Sequence, residues 1–556
     1  MKKSVIIIAI IVIGSLLGFQ FFGRPAYKRH KETRSMEQAK SFMAKHDYRN
    51  ASLSARQTLQ VNPNNLEACR IMADLAEMSR SPHLLDWRRR IADLAPTTEN
   101  KILLASTALR AQGAPYLLTA QILEEIGDSA KNIAAYHVVS AELALKLNKI
   151  SEAAAHFEQA SRLEPTNELH QLNLAVLRLP STNASLASAA WATLEGLRSS
   201  TNVGAVALRW LVTESLRRDD LAGALRFSKQ LLNDPHRVLD DRLQHLSLLQ
   251  KAKNPELDAY LSMVRDNAST NATDIRGIAA WMIGHGLVDD AMTWLGQRPA
   301  SVRTEQPVRL AFVEGYLAKK DWAGLETFLG DQKWGDLEFL RFAFLSRAAW
   351  EQKQDLAADA RWRTAVREAG DRLGPMTALL GMAGHWGRDK AREDLLWQIA
   401  QRFPKERWAL RELDRFYLAT GNTRGLNKAC SAMVNYDAKD FVSRNNLAAT
   451  SLLLRINLPH AHELARELYA GHPEEAIITS TYAYSLHLQS RTREGLAALE
   501  KLKAESIEIP QVALYYGVLL SAVGETNKAR KYLDIAQRAD VLPEEKALLA
   551  AAVRAL

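Results

Sequence analysis

Cysteine is scarce in this chain: Cys69 and Cys430 are the only two in 556 residues. So few thiols exclude a cysteine-built zinc cluster and a disulfide framework, and each reads as a small apolar packing residue. The glycine loops of nucleotide chemistry are also missing, with neither Gly-x-Gly-x-x-Gly nor Gly-x4-Gly-Lys-Ser/Thr in the chain. Gly284-His285-Gly286 is a fragment of such a loop at most, and it reads as a helix C-cap. No Gly-x-Ser-x-Gly nucleophile elbow occurs. Runs of alternating apolar and polar residues bounded by hairpin turns are absent too, which excludes sheet architectures. His460 and His462, with His472 ten residues on, lack a third fixed ligand and read as surface histidines. Acidic pairs such as Glu124-Glu125 and Asp289-Asp290 read as solvated charge. The expectation is a protein that is not an enzyme, with no catalytic, cofactor-binding or metal-binding residue and no small-molecule substrate.

A strong charge of one sign is lacking as well, once the formal +9 is located. Residues 1–34 hold seven Lys and Arg against Glu32 alone, which leaves +3 for the other 522 residues. No basic stripe interleaved with aromatics follows, so a nucleic-acid partner is not expected.

What is present begins with an apolar run. Ser4 to Phe22 reads SVIIIAIIVIGSLLGFQFF, nineteen residues with one amide and no charge. A helix needs about 20 such residues to cross a bilayer. The run exits through Phe21, Phe22, Gly23, Arg24 and Pro25, bulky where a signal cleavage site wants small residues. Residues 1–23 are therefore predicted to be an N-terminal transmembrane anchor in the lipid bilayer, and residues 24–34 a basic juxtamembrane stalk. The basic residues beyond the span count toward cytoplasmic repeats, whereas a short Met-Lys-Lys start keeps the amino end inside. The reading adopted is a single-pass membrane protein with extracytoplasmic repeats.

The rest of the chain follows a 34-residue beat, clearest from Val442 to Val541. Ala448, Tyr482 and Tyr516 fall in one column, then Ala449, Ala483 and Gly517, then Leu452, Leu486 and Leu520. In the second half of each segment Ala461, Gly495 and Ala529 align, followed by Ala465, Leu499 and Leu533. A small residue beside a bulky one, with apolar residues three and four later, describes two helices with a close-approach spot. A period of this length predicts stacked helical hairpins, none able to bury its own face alone.

These columns resemble the tetratricopeptide repeat (TPR). The clearest copy is Ala153, Phe157, Ala160 and Pro165, and stepping by about 34 from Ala153 marks roughly fifteen slots after residue 35. Individual copies are degenerate: Leu85, Thr119 and Leu257 stand where a small residue belongs. The resemblance implies an all-α fold, an α-solenoid of TPR-like hairpins in a right-handed superhelix over residues 35–541. The phase is best at 35–168 and 442–541, and residues 542–556 are predicted to be a C-terminal capping helix over the last hairpin. The Ser/Thr/Asn-rich stretches at 180–185, 199–202 and 267–273 read as longer inter-helix loops. Trp191 and Trp362 occupy the aromatic core column, and Trp334, Trp386 and Trp408 fall nearer helix starts, as inter-repeat filler.

In TPR proteins the first helices line a concave groove that holds a peptide or partner segment. Here that implies partner-binding positions at Asn446 with Thr450 or Ser451, at Ser480 with Tyr484 and His487, and at Leu514 with Val518. The Lys and Asn set of a carboxylate clamp is not matched. The function implied is a membrane-anchored, non-enzymatic protein-protein interaction scaffold. The alternative is an accessory or assembly component of a cell-surface polysaccharide or protein export system.

Overall fold

The computed structural model describes residues 24–556 apart from Gln112, Ser269 and Ala539. Among the described residues there is no strand; the chain runs as successive helical hairpins. They form two compact units, one ending at Trp281 and the other running from Met282 to Leu556.

Each hairpin is built from short local signals. Asp47, Asn65, Asn167, Asp220, Asp321, Asn422 and Asp440 are N-caps whose side chains accept backbone N–H groups of the first turn. Such a cap satisfies donors that the helix leaves open and is worth about 1 kcal/mol. The same chemistry organises the expected inter-helix loops. Asn183 accepts from the N–H groups of Ser185 and Leu186. Asn271 does so from Thr273 and Asp274, and Ser200 Oγ from Asn202 and Val203. Residues 179–183 and 198–203 are longer connections than turns such as 147–149, whereas Ala268 and Ala272 bracket a short one, and each stretch closes on a side-chain cap for the helix that follows.

The repeat beat appears as helix spacing. Second helices begin at Leu458, Thr492 and Thr526, 34 residues apart. The small columns are buried where the two helices of a hairpin touch: Ala153, Ala358, Ala461 and Ala529 have almost no exposure. Thr119, which breaks the small-residue rule, is fully buried and donates its hydroxyl to the Ala105 carbonyl at 3.1 Å. Phe157 packs with Ala141, Ala144 and Ala153. Trp191 meets Phe227 edge-on, and Trp334 is buried. Cys69 and Cys430 are both buried, and burial pushes both thiols upward, away from the reactive thiolate.

The N-terminal anchor expected over residues 1–23 lies outside the described residues. Among the described residues no helix is long and apolar enough to cross a membrane. Residues 24–34 are helical, continuous with the helix Arg24–Ala44. That helix joins the first hairpin through Ser35, 2.8 Å from Thr58 Oγ1, and through Glu32, which accepts from Asn62 and Asn65 at 2.7 Å each.

Because each hairpin is held mainly by its neighbours, Phe157→Ala is expected to cost about 3–5 kcal/mol locally. Hydrogen exchange should rise first between residues 134 and 178; uniform loss of protection along the chain would contradict this.

Candidate functional site

The C-terminal unit presents one face made by first helices: Trp408–Ala419, Phe441–Leu454, Ala476–Leu488 and Pro510–Ala522. The last helix, Pro543–Arg554, lies against this face. It packs on Pro510–Ala522 and Thr526–Ala536, and it also touches Phe441–Leu454, two hairpins earlier. At its start the chain reaches still further back. Thr423 Oγ1 donates to the Glu544 carboxylate, and Pro543 lies against Gly421, whose φ is +63°. The terminal helix is thus seated across several repeats as well as against the last hairpin.

Its first turn is fixed by Glu545. One carboxylate oxygen accepts the Leu542 N–H at 2.8 Å and the other accepts the Tyr515 hydroxyl at 2.6 Å. Tyr515 is buried against the ring of Tyr484, 5.1 Å between centroids. Burial together with the adjacent Glu545 charge pushes the Tyr515 phenol well above its usual value, so it stays a donor.

Beneath this turn lies a cavity of about 240 Å³. Asn445, Asn446, Thr450, Ser480 and Thr481 supply polar groups to it; Leu418, Leu426, Leu453 and Ile477 supply apolar walls. Asp414, Asp540 and Glu545 bring carboxylates. Burial holds the Asp414 carboxyl above the usual range, against weaker lowering by its contact with Cys430 and by the Arg415 charge.

The structure brings three of the sequence-predicted residues together and separates two. Asn446, Thr450 and Ser480 all line the cavity. Tyr484 is 3% exposed and enclosed by Tyr515, because the terminal helix presses Tyr515 onto it. His487 sits at the end of its helix with Nδ1 3.0 Å from Thr492 Oγ1, away from the cavity. Of the other groove positions, Leu514 and Val518 are buried core residues, and Ser451 is held by Asn427 at 2.8 Å. Sequence reading missed Asn445, which lies one position off the groove stripe, and Asp414, one repeat upstream. No local signal marks either residue. His462, read as a surface histidine, is 2.8 Å from Ser485 Oγ across the hairpin.

No family model matches the chain, and no curated protein does. Solved structures with a resemblance include Cut9-Hcn1, the APC/C hetero-tetramer: 12% identity, TM-score 0.29, covering 83% of this chain and 98% of that one. Another is PilF of Pseudomonas aeruginosa, at 15% identity and TM-score 0.32, covering 40% and 99%. The type IV pilus biogenesis factor PilW gives 17% identity and TM-score 0.25, covering 42% and 93%. At these scores the likenesses decide nothing about function, and the fold rests on the helices described above.

Two outcomes follow from the geometry. Tyr515→Phe keeps the packing but removes a bond to a charged group, worth about 1.5–3 kcal/mol, so amide exchange in residues 543–554 should accelerate; unchanged exchange would mean the bond does not hold the helix. Burial lowers the pKa of His462 and His487 below the ordinary 6.5. Their stabilising contribution is therefore complete above about pH 6.5 and is lost as pH falls through the lower folded values. Protection factors in residues 458–499, corrected for the intrinsic pH dependence of amide exchange, should fall on acidification from neutral pH, and the double variant H462Q/H487Q should flatten that fall.

Proposed function

We propose that this protein is a non-enzymatic interaction scaffold whose C-terminal unit binds an extended or helical segment of a partner protein. The observation that carries the reading is the seat of the terminal helix. The first-helix face already seats one segment of the chain itself, Pro543–Arg554, and leaves a cavity open at that segment's start. A face that takes one helix has the shape and mixed polarity for another segment laid beside it. Exposed apolar side chains border it: Leu418 at 56% and Ile477 at 44% exposure. The nineteen-residue apolar run ahead of the repeats supports tethering to a bilayer, which would raise the scaffold's local concentration at the membrane. With extracytoplasmic repeats, the partners fit an envelope assembly complex.

The test is in-cell photo-crosslinking from Asn446 and Ser480 in the full-length protein, with the exposed Lys501 as control position. A few discrete proteins captured from Asn446 and Ser480 but not from Lys501 are expected. Capture no different from the Lys501 control would sink the reading, and captured proteins confined to the cytoplasm would overturn the orientation.

A further inference from the structure

The hydroxyl groups that line the cavity under the terminal helix have already committed their protons. Ser480 Oγ and Thr481 Oγ1 both donate to the Ile477 carbonyl, at 2.8 and 3.0 Å. Thr450 Oγ1 donates to the Asn446 carbonyl at 2.6 Å and accepts from Asn427. The hydroxyl protons are thereby spent within the helices, and lone pairs remain. Asn445, which lines the cavity, is only 3% exposed, and its Oδ1 has no hydrogen-bond partner. A buried acceptor left unmade is costly, so a ligand group that donates to it offsets that cost.

Charge points the same way. The lining holds the carboxylates of Asp414, Asp540 and Glu545, and no Lys, Arg or His stands among the residues that form it. Glu545 is hydrogen-bonded to Tyr515 and the Leu542 N–H, but neither neutralises it. Arg415, beside Asp414 in sequence, is paired with Glu412 at 2.9 Å. A metal ion is a poorer fit: among the described residues no three His, Cys, Asp or Glu side chains are grouped to hold one. Moreover, Leu418, Leu426, Leu453 and Ile477 give the cavity an apolar wall, which a hard cation does not use. An apolar wall leading to carboxylates and an unpaired carbonyl matches a methylene stem with a cationic, donor-only head.

We propose that this cavity takes the side chain of a lysine or arginine carried by the partner segment. The inference rests on the groove reading above and names the residue class that the groove selects. The ammonium or guanidinium is held between the Asp414 and Glu545 carboxylates and the Asn445 carbonyl oxygen. Its stem lies along the leucine and isoleucine wall.

The test uses the full-length protein in detergent micelles and a positional-scanning library of acetylated, amidated octapeptides. The best binder is then remade with norleucine in place of its preferred basic residue. Enrichment of Lys or Arg at one position is expected, with affinity falling about ten-fold for the norleucine peptide, equal to about 1.4 kcal/mol. Asp414→Asn should weaken the basic peptide by a similar factor and leave the norleucine peptide within about two-fold. Asp540→Asn, at an exposed turn position where folding is not at stake, should weaken the basic peptide in the same sense by a smaller factor. Peptides that bind with no basic preference, or with a preference that both variants leave unchanged, would overturn the cationic pocket while keeping the groove. If no peptide binds, or if Ser480→Arg in the cavity wall does not reduce binding, the groove reading falls and the pocket with it.

Discussion

Everything in this architecture depends on how closely two helices of a hairpin can approach. A Cβ placed on Gly495 would come within 2.7 Å of the Ala483 carbonyl oxygen, a distance real side chains do not tolerate. Gly517 is equally confined, with the Leu533 side chain 2.8 Å from where its Cβ would be. The small columns set the spacing within each pair, and that spacing fixes where the next pair can stack. A solenoid has no central core to absorb an error, so the face its first helices present inherits its geometry from these contacts.

The terminal helix then converts that face into a site. Covering the last hairpin alone would protect the open end of the array. Instead, Glu545 holds Tyr515 of the last hairpin while Glu544 reaches Thr423, tying the end of the chain to a hairpin well before it. Two acidic residues in the first turn also offset the positive end of the helix dipole at the mouth of the cavity. The same carboxylate that caps the helix therefore contributes negative charge to the cavity. Fixing the helix and selecting a basic side chain are two results of one placement.

Polar groups buried in repeat proteins are usually read as packing compromises. Here most are satisfied locally: Thr119 by Ala105, Ser346 by the Ala358 carbonyl at 2.7 Å, Tyr417 by Glu393 at 2.5 Å. Burial and the Glu393 bond together push the Tyr417 phenol up to about 12. Against that background the unpaired Oδ1 of Asn445 stands out, because it belongs to a residue lining a cavity whose hydroxyl protons are already spent within the helices.

The sequence by itself determined the all-helical hairpins, their 34-residue beat and the buried small columns, since periodicity reports which residues recur on one helix face. It also placed Asn446, Thr450 and Ser480 on the face that lines the cavity. It read the Ser/Thr/Asn stretches as loops from composition, without the caps that their side chains make for the helices that follow. Only the tertiary structure decided that Tyr484 is covered, that His487 turns toward Thr492, and that Asn445 and Asp414 converge. The His487 contact is made within its own hairpin, whereas the others depend on where a segment some sixty to one hundred and thirty residues later comes to rest. A local period carries no record of such a contact, because the forces that make it act between residues distant in the chain.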